Sequence, residues 1–140
     1  MNTALRVSLW LALLSLIMAG PIKEKAAEAG SVQSGLWGGE HVSLEVTERG
    51  GKVEFDCAHG TLDRKITLDR RGRFDVPGTY VEEHGGPIRR DERSTSYPVR
   101  VTGRVKGGDM QMTVRRRDTG QFLGTFSLVR GREPMLFKCR

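Results

Sequence analysis

The sequence predicts an all-β fold, an eight-stranded antiparallel up-and-down meander barrel, on three observations. Beyond residue 30, apolar and polar residues alternate with a period of two, which is typical of half-buried strands. Short glycine-rich segments such as Gly107-Gly108 separate the alternating runs and are typical of hairpin turns. No helical periodicity is found after Gly30. Because closing the sheet removes its unpaired edges, a barrel is favoured, with an open two-sheet β-sandwich as the alternative.

Eight alternating runs define the predicted strands. They cover residues 42–46, 53–57, 62–68, 74–80, 99–105, 110–114, 122–128 and 135–139. Inward-facing residues must lie opposite inward-facing residues across each turn. This condition predicts Leu44 opposite Phe55 in the first hairpin and Val105 opposite Met110 in the hairpin of strands five and six. The first predicted strand is expected to pair with the last and close the barrel.

The first 29 residues are predicted to be a signal peptide and a short linker, and residues 30–140 a single β-barrel domain. Residues 1–6 contain one arginine, and residues 7–19 form an apolar run that is too short to span a bilayer as a helix. Cleavage is expected after residue 19 or after residue 29, and an uncleaved membrane anchor is the alternative. The prediction is therefore a periplasmic or secreted protein.

The cysteine content agrees with export. The chain has two cysteines, Cys57 and Cys139, and both follow the predicted signal peptide. In an oxidising compartment such a pair is predicted to form one disulfide, with two free thiols as the alternative.

Because strand direction alternates, each turn can be assigned to one end of the barrel. The end that carries Glu40 and His41 is called the base, and the opposite end the rim. The rim is strongly basic in a chain whose formal net charge is +6. This basic rim comprises Arg49, Lys52, Arg70, Arg71, Arg73, Lys106, Arg130 and Arg132. It predicts an anionic or amphipathic small molecule, or a lipid or lipopolysaccharide surface, as the partner, and ordinary solvated turns are the alternative.

Nucleic acid is not expected as a partner. The chain is predicted to be exported, and the basic residues are not interleaved with aromatic side chains on which bases would stack. The sequence leaves the oligomeric state open.

The base carries one long connection, residues 82–96. Long loops in compact domains are often functional, because they are exposed and held by a rigid scaffold. Glu83, His84, Arg89 and Arg90 are its candidate contact residues. This loop supports a second hypothesis, in which the protein is a protein-interaction or inhibitor protein that acts through the loop.

All three histidines, His41, His59 and His84, also fall at the base. Imidazole and carboxylate together would suit zinc. However, no His-x-His or His-x-x-x-His spacing holds two ligands on one element, so surface histidines on turns are the favoured interpretation. No cofactor is predicted. The sequence also lacks a recognisable catalytic constellation such as Gly-x-Ser-x-Gly, so an enzyme is not predicted.

The predicted interior is mostly aliphatic, with Arg64 as the exception. The alternation along the third predicted strand points Arg64 inward, where an unpaired guanidinium is too costly to persist without an anionic partner. Arg64 and Tyr80 are therefore candidate ligand-binding residues inside the barrel. The alternative is a bulge that turns Arg64 outward.

Two short motifs carry a resemblance to known families. Gly35-Leu36-Trp37, placed before a meander and after a signal peptide, resembles the start of lipocalin-like and avidin-like barrels. The exported part is also similar to uncharacterised bacterial exported proteins that share the segments 56–60 and 83–87. The resemblance implies an exported bacterial small barrel, and it implies no particular activity.

The leading functional hypothesis is therefore an exported binding module for an anionic or amphipathic ligand or surface. The protein-interaction or inhibitor protein acting through the loop of residues 82–96 is the alternative.

Overall fold

The structure of the protein, a computed structural model, describes residues 30–140, and the predicted signal peptide lies outside the described residues. Strands account for all the regular secondary structure in this part of the chain. Within residues 30–140, no helix is long and apolar enough to cross a membrane.

Eight strands follow one another along the chain. They are β1 Gly35–Gly39, β2 Val42–Thr47, β3 Gly50–Phe55, β4 Ala58–Leu62, β5 Arg73–Glu82, β6 Ser96–Lys106, β7 Asp109–Arg116 and β8 Phe122–Arg130. Each strand pairs antiparallel with its neighbours in sequence, and β1 pairs with β8. The predicted eight-stranded up-and-down meander is therefore confirmed, as a closed barrel rather than a sandwich.

The hairpin of β6 and β7 has the predicted register. Val105 lies opposite Met110 and Val101 opposite Val114. The turn residue Gly107 has a φ of 60°, a backbone conformation that glycine adopts without steric cost.

The register of the β2–β3 hairpin differs from the prediction by two residues. Leu44 lies opposite Val53 rather than Phe55, because Gly50 and Gly51 belong to β3 and leave a shorter turn. A slip of two residues keeps every side chain on its own face, so the hydrophobic pattern does not distinguish the two registers.

Two predicted strands are wrong. Of the run 62–68, only Leu62 lies in a strand, as the last residue of β4. Residues 63–72 form the connection between β4 and β5. The run 135–139 is not a strand either. Instead, the glycine-rich segment Gly35–Gly39, expected to be a lead-in, is β1, and it closes the barrel through pairs such as Trp37 opposite Arg130.

The segment after β8 is here called the C-terminal strap, residues 131–140. It turns at Gly131, which has a φ of 74°, and runs back along the outside of β1. The backbone N–H of Met135 donates to the Gly39 carbonyl at 3.0 Å, and the His41 N–H donates to the Met135 carbonyl at 2.8 Å. The strap ends at the base, where Cys139 and Cys57 lie at disulfide distance with their Cα atoms 5.2 Å apart, as the sequence predicts.

The barrel interior is packed. Its fully buried large side chains are Trp37, Leu44, Ile66, Met110, Met112 and Leu128. The rim end is closed by the segment before β1, because the Val32 N–H donates to the Ile66 carbonyl at 2.9 Å and both side chains are buried. A small pocket lined by Phe55, Tyr80 and other side chains has a volume of about 10 Å³. Such a space is comparable to a single water molecule.

The contact between β1 and the strap predicts a strong effect of Gly38→Ala. A Cβ at this position would lie 2.0 Å from the carbonyl oxygen of Arg132. Because that oxygen belongs to the backbone, it cannot move aside as a flexible side chain could. We expect a loss of about 1–3 kcal/mol in the free energy of unfolding, the usual cost of overpacking, measured by urea denaturation. Gly108→Ala is the matched control, since a Cβ there meets no atom within 4 Å. Equal effects of both substitutions would contradict the packing of the strap against β1.

Candidate functional site

Among the described residues, buried side chains fill the interior of the barrel, and Arg64 does not face it. Arg64 is exposed, because the chain leaves the sheet at Leu62 and the predicted alternation does not continue beyond it. The predicted inward orientation of Arg64 is therefore wrong. Its guanidinium lies on the outside, close enough to Asp75 to contribute to lowering the pKa of that carboxyl.

Tyr80 is half-buried, at the base end of the interior. Its ring lies 5.4 Å from that of Phe55 and 6.3 Å from that of Tyr97, centroid to centroid. Tyr97 donates a hydrogen bond of 2.5 Å to Glu82, and the Arg116 guanidinium lies 3.8 Å above the Tyr97 ring. These contacts fill the base end, so Tyr80 belongs to a packed cluster and not to an interior binding site.

Most of the predicted basic rim lies at one end of the barrel. Arg49 lies in the β2–β3 turn, Arg70 and Arg71 in the β4–β5 connection, Lys106 at the end of β6, and Arg130 at the end of β8. All five side chains are exposed.

The other three rim residues are also exposed; Arg73 begins β5 at the same end, whereas Lys52 and Arg132 lie along the barrel wall. Lys52 is within β3, and Arg132 belongs to the strap, where its carbonyl faces Gly38. Arg73, at the start of β5, lines a groove on the outer surface.

This outer groove has a volume of about 730 Å³ and runs over β5, β6 and β7. The β4–β5 connection contributes Thr67 and Leu68 to its lining. The polar residues that line it are Thr67, Asp69, Arg73, Asp75, Thr102, Arg104, Gln111 and Thr113. The strand residues among them share one face because they occupy alternate positions on neighbouring strands, opposite to the buried row of Val76, Val101 and Met112.

Two arginines lie directly opposite each other in the groove. Arg73 on β5 pairs in register with Arg104 on β6. Arg73 is held by Asp69, whose Oδ2 accepts from the Arg73 Nε at 3.0 Å. Within residues 30–140, no carboxylate lies at salt-bridge distance from Arg104. Like charges placed opposite each other across a strand pair are unfavourable, so this position favours an anion.

The two carboxylates of the groove are stabilised in their ionised form. The backbone N–H of Arg73 donates to Asp69 at 2.9 Å and, with that of Arg71, lowers the pKa of Asp69 below its ordinary value. The hydrogen bonds from Arg100, whose Nε lies 2.9 Å from Oδ1 of Asp75, lower the pKa of Asp75 despite its partial desolvation. Both groups therefore act as hydrogen-bond acceptors at neutral pH.

The rest of the groove face carries neutral hydrogen-bonding groups in rows across the strands. Thr102, Thr113 and Thr125 lie side by side on β6, β7 and β8. The hydroxyls of Thr113 and Thr125 are 2.9 Å apart. In the next row, Gln111 lies opposite Arg104, and its Nε2 donates to the Ser127 hydroxyl at 2.7 Å.

A second groove continues the first toward β8. It has a volume of about 430 Å³ and is lined by Lys106, Asp109 and Ser127 among others. Arg104 and Gln111 line both grooves. Arg104 therefore lies at the centre of a polar track across four strands.

The three histidines lie at the base, as predicted, but each is paired with a different carboxylate. The Nδ1 of His41 lies 2.6 Å from Asp56, the Nδ1 of His59 lies 2.7 Å from Glu83, and His84 pairs with Glu92. Within the described part of the chain, no three His, Cys, Asp or Glu side chains are grouped so that they could hold a metal ion.

The long loop lies beside a smaller pocket of about 370 Å³. Glu83 and His84 line this pocket together with His59, whereas Arg89 and Arg90 are exposed loop residues outside its lining. The carbonyl of Gly85 and the carboxylate of Glu92 raise the pKa of His84.

Apart from Arg73, which the sequence assigned to the basic rim, the residues of the main groove were not among the candidates that the sequence suggested, although part of the signal was present. The confirmed register of β6 and β7 places Thr102 opposite Thr113 and Arg104 opposite Gln111, all on the polar face. The position of Arg73 could not be inferred, because a long loop joins β5 to β6 and leaves their register open.

No protein-family model matches the chain, and searches of curated proteins and of solved structures found no match.

The contacts of Asp56 at the base predict that its carboxylate contributes to folding stability in a pH-dependent way. Desolvation raises its pKa, but the hydrogen bonds from the Phe137 N–H at 2.8 Å and from His41 outweigh it and leave the pKa below 3.8. A lowered pKa contributes stability above pH 3.8 that is lost as the pH falls through the folded-state value. We expect Asp56→Asn to lower the melting temperature at pH 6 and the difference from the wild type to shrink below pH 3.8.

The control is Asp91→Asn, which changes an exposed carboxylate of the long loop outside this cluster. A difference between Asp56→Asn and the wild type that persists unchanged at pH 2 would contradict the role of the charged carboxylate.

Proposed function

We propose that this protein is an exported binding module that holds an anionic ligand on the outside of its barrel, in the groove over β5, β6 and β7. Export is taken from the predicted signal peptide. The observation that carries the proposal is Arg104, a guanidinium without a carboxylate partner within residues 30–140, placed opposite Arg73 in a groove of about 730 Å³.

The packed interior supports an outer site over an inner one. A pocket of about 10 Å³ does not accommodate an organic ligand. The groove, in contrast, is open to solvent, and a rigid sheet positions its side chains. Because a guanidinium offers several N–H donors in a planar fork, Arg104 is suited to bind a carboxylate, a sulfate or a phosphate.

The basic rim adds a long-range contribution. Lys106, Arg70 and Arg71 lie at the same end of the barrel as the groove and are exposed. A concentration of positive charge attracts anions and raises their association rate, and salt reduces the effect.

Arg104→Gln tests the proposal, with a hexamer of galacturonic acid and a hexamer of glutamic acid as anionic probes. Binding is measured by titration calorimetry at 20 mM and 150 mM salt. We expect Arg104→Gln to weaken binding by about fivefold to tenfold at low salt, since a charge-assisted hydrogen bond contributes about 1–1.4 kcal/mol at an exposed site.

Arg49→Gln is the matched control, because it removes the same charge from a rim turn away from the groove. Equal losses in the two variants would mean that net charge alone attracts the probes. Failure of both probes to bind the wild-type protein would contradict the proposal.

A second function, the docking of a protein partner at the base, is favoured by a separate observation. Four large exposed apolar side chains lie at the base end: Ile88 is 82% exposed, Phe122 51%, Met135 57% and Phe137 58%. Aromatic residues and methionine, mixed with arginine, are enriched in protein interfaces. The long loop contributes Ile88 together with its neighbours Arg89 and Arg90.

The double substitution Ile88→Ser and Phe122→Ser tests this second function. Both side chains are exposed, so we expect little change in stability and a loss of partner capture when the immobilised protein is exposed to the exported protein fraction of its own cell. Arg70→Ser with Arg71→Ser at the rim is the control. Capture that survives the base substitutions but not the rim substitutions would exclude the base as the docking surface.

A further inference from the structure

We infer that the ligand of the outer groove is an acidic oligosaccharide, a chain of hydroxyl-rich units that carry carboxylate groups. The inference rests on the proposed function and narrows it to one chemical class. Four features of the groove carry it: its carboxylates, its rows of neutral hydrogen-bonding groups, its length, and the burial of the aromatic residue in its lining.

The carboxylates disfavour a ligand that presents negative charge alone. Asp69 and Asp75 line the same groove as Arg104 and are held in their ionised form by Arg73 and Arg100. A uniformly charged polyanion would be repelled by them at short range. A ligand with hydroxyl groups donates to these carboxylates while its own carboxylate binds Arg104, so it matches both signs of charge.

The neutral rows supply the remaining hydrogen bonds. The hydroxyls of Thr113 and Thr125 share one hydrogen bond between them, so one of their two hydrogens remains free to donate to a ligand. Thr102 extends this row onto β6. Gln111 uses one N–H on Ser127 and keeps its carbonyl oxygen as an acceptor. Alternating donors and acceptors of this kind complement sugar hydroxyls.

The dimensions indicate a chain rather than a single sugar. The two grooves, of about 730 and 430 Å³, share Arg104 and Gln111 and so form one track across the strands. Neighbouring strands lie about 4.8 Å apart, which is close to the length of one hexose unit in an extended chain. Successive sugar units would therefore meet successive strands.

The aromatic content indicates an acidic sugar rather than a neutral one. Neutral sugars are commonly held by stacking on exposed aromatic rings, but Phe74, the aromatic residue in the lining of the main groove, is only 4% exposed. Affinity must then come from charge, through Arg104 and through Lys106 in the lining of the second groove.

The test uses the exported protein with its disulfide intact and four probes of six units each. They are a hexamer of galacturonic acid, the same hexamer with its hydroxyls capped as methyl ethers, a hexamer of glutamic acid, and the neutral hexamer of glucose. We expect the galacturonic acid hexamer to bind at least tenfold more tightly than each of the other three. Capping the hydroxyls leaves the carboxylates free, so that comparison isolates the contribution of the hydroxyls without any change to the protein.

Protein variants give the second arm. Thr102→Val with Thr113→Val removes two hydroxyls and keeps the β-branched shape that strands favour. We expect this double variant to bind the galacturonic acid hexamer about tenfold more weakly, because it loses about two net hydrogen bonds. Its affinity for the glutamic acid hexamer should not change. Arg104→Gln should weaken both acidic probes.

The outcomes separate the two proposals. If Arg104→Gln weakens the acidic probes while methyl capping and the threonine substitutions have no effect, the oligosaccharide inference is wrong and the anion-binding function stands. If Arg104→Gln changes neither acidic probe, both are wrong. Tight binding of the glucose hexamer would overturn the requirement for an acidic sugar.

Discussion

The closure of the sheet between β1 and β8 is the constraint on which the rest of the structure depends. Three residue pairs make it, Trp37 with Arg130, Gly38 with Val129 and Gly39 with Leu128. With the ring closed, the inward side chains fill the interior, and polar groups are left to the outer surface. The glycines of β1 also let the C-terminal strap approach its outer side, which brings Cys139 to Cys57 at the base.

The alternation of apolar residues was enough to predict the barrel because it tracks burial, and burial is strictly two-sided in a closed sheet. The alternation did not predict strands correctly where a segment pairs without alternating burial, or alternates without pairing in the sheet. Strand β1 has one fully buried large side chain, Trp37, among glycines, so it shows no alternation although it pairs on both sides. Met135 and Phe137 alternate, yet both are exposed, because the strap crosses the outside of the barrel instead of joining the sheet.

The candidate site could be predicted only where a short hairpin turn determines which residues lie opposite each other on paired strands. A two-residue glycine turn sets the register of β6 and β7, and with it the position of Arg104 opposite Gln111. The opposition of Arg73 and Arg104 depends on pairing across a connection of more than ten residues, whose length does not specify a register. Arg64 was misplaced for a related reason, since the alternation was extended past Leu62, where the chain has already left the sheet.

An outer groove on a packed barrel also has a consequence for the kinetics of binding. A ligand held inside a barrel must wait for a mouth or a loop to open, and that motion limits its exchange. If the proposed ligand binds in the groove, no strand or loop has to move before it reaches Arg104, which is exposed on a rigid sheet. Association is then set by diffusion and electrostatic attraction, and selectivity is expressed in the dissociation rate. Such exchange suits a protein that samples a surface repeatedly better than one that stores a molecule.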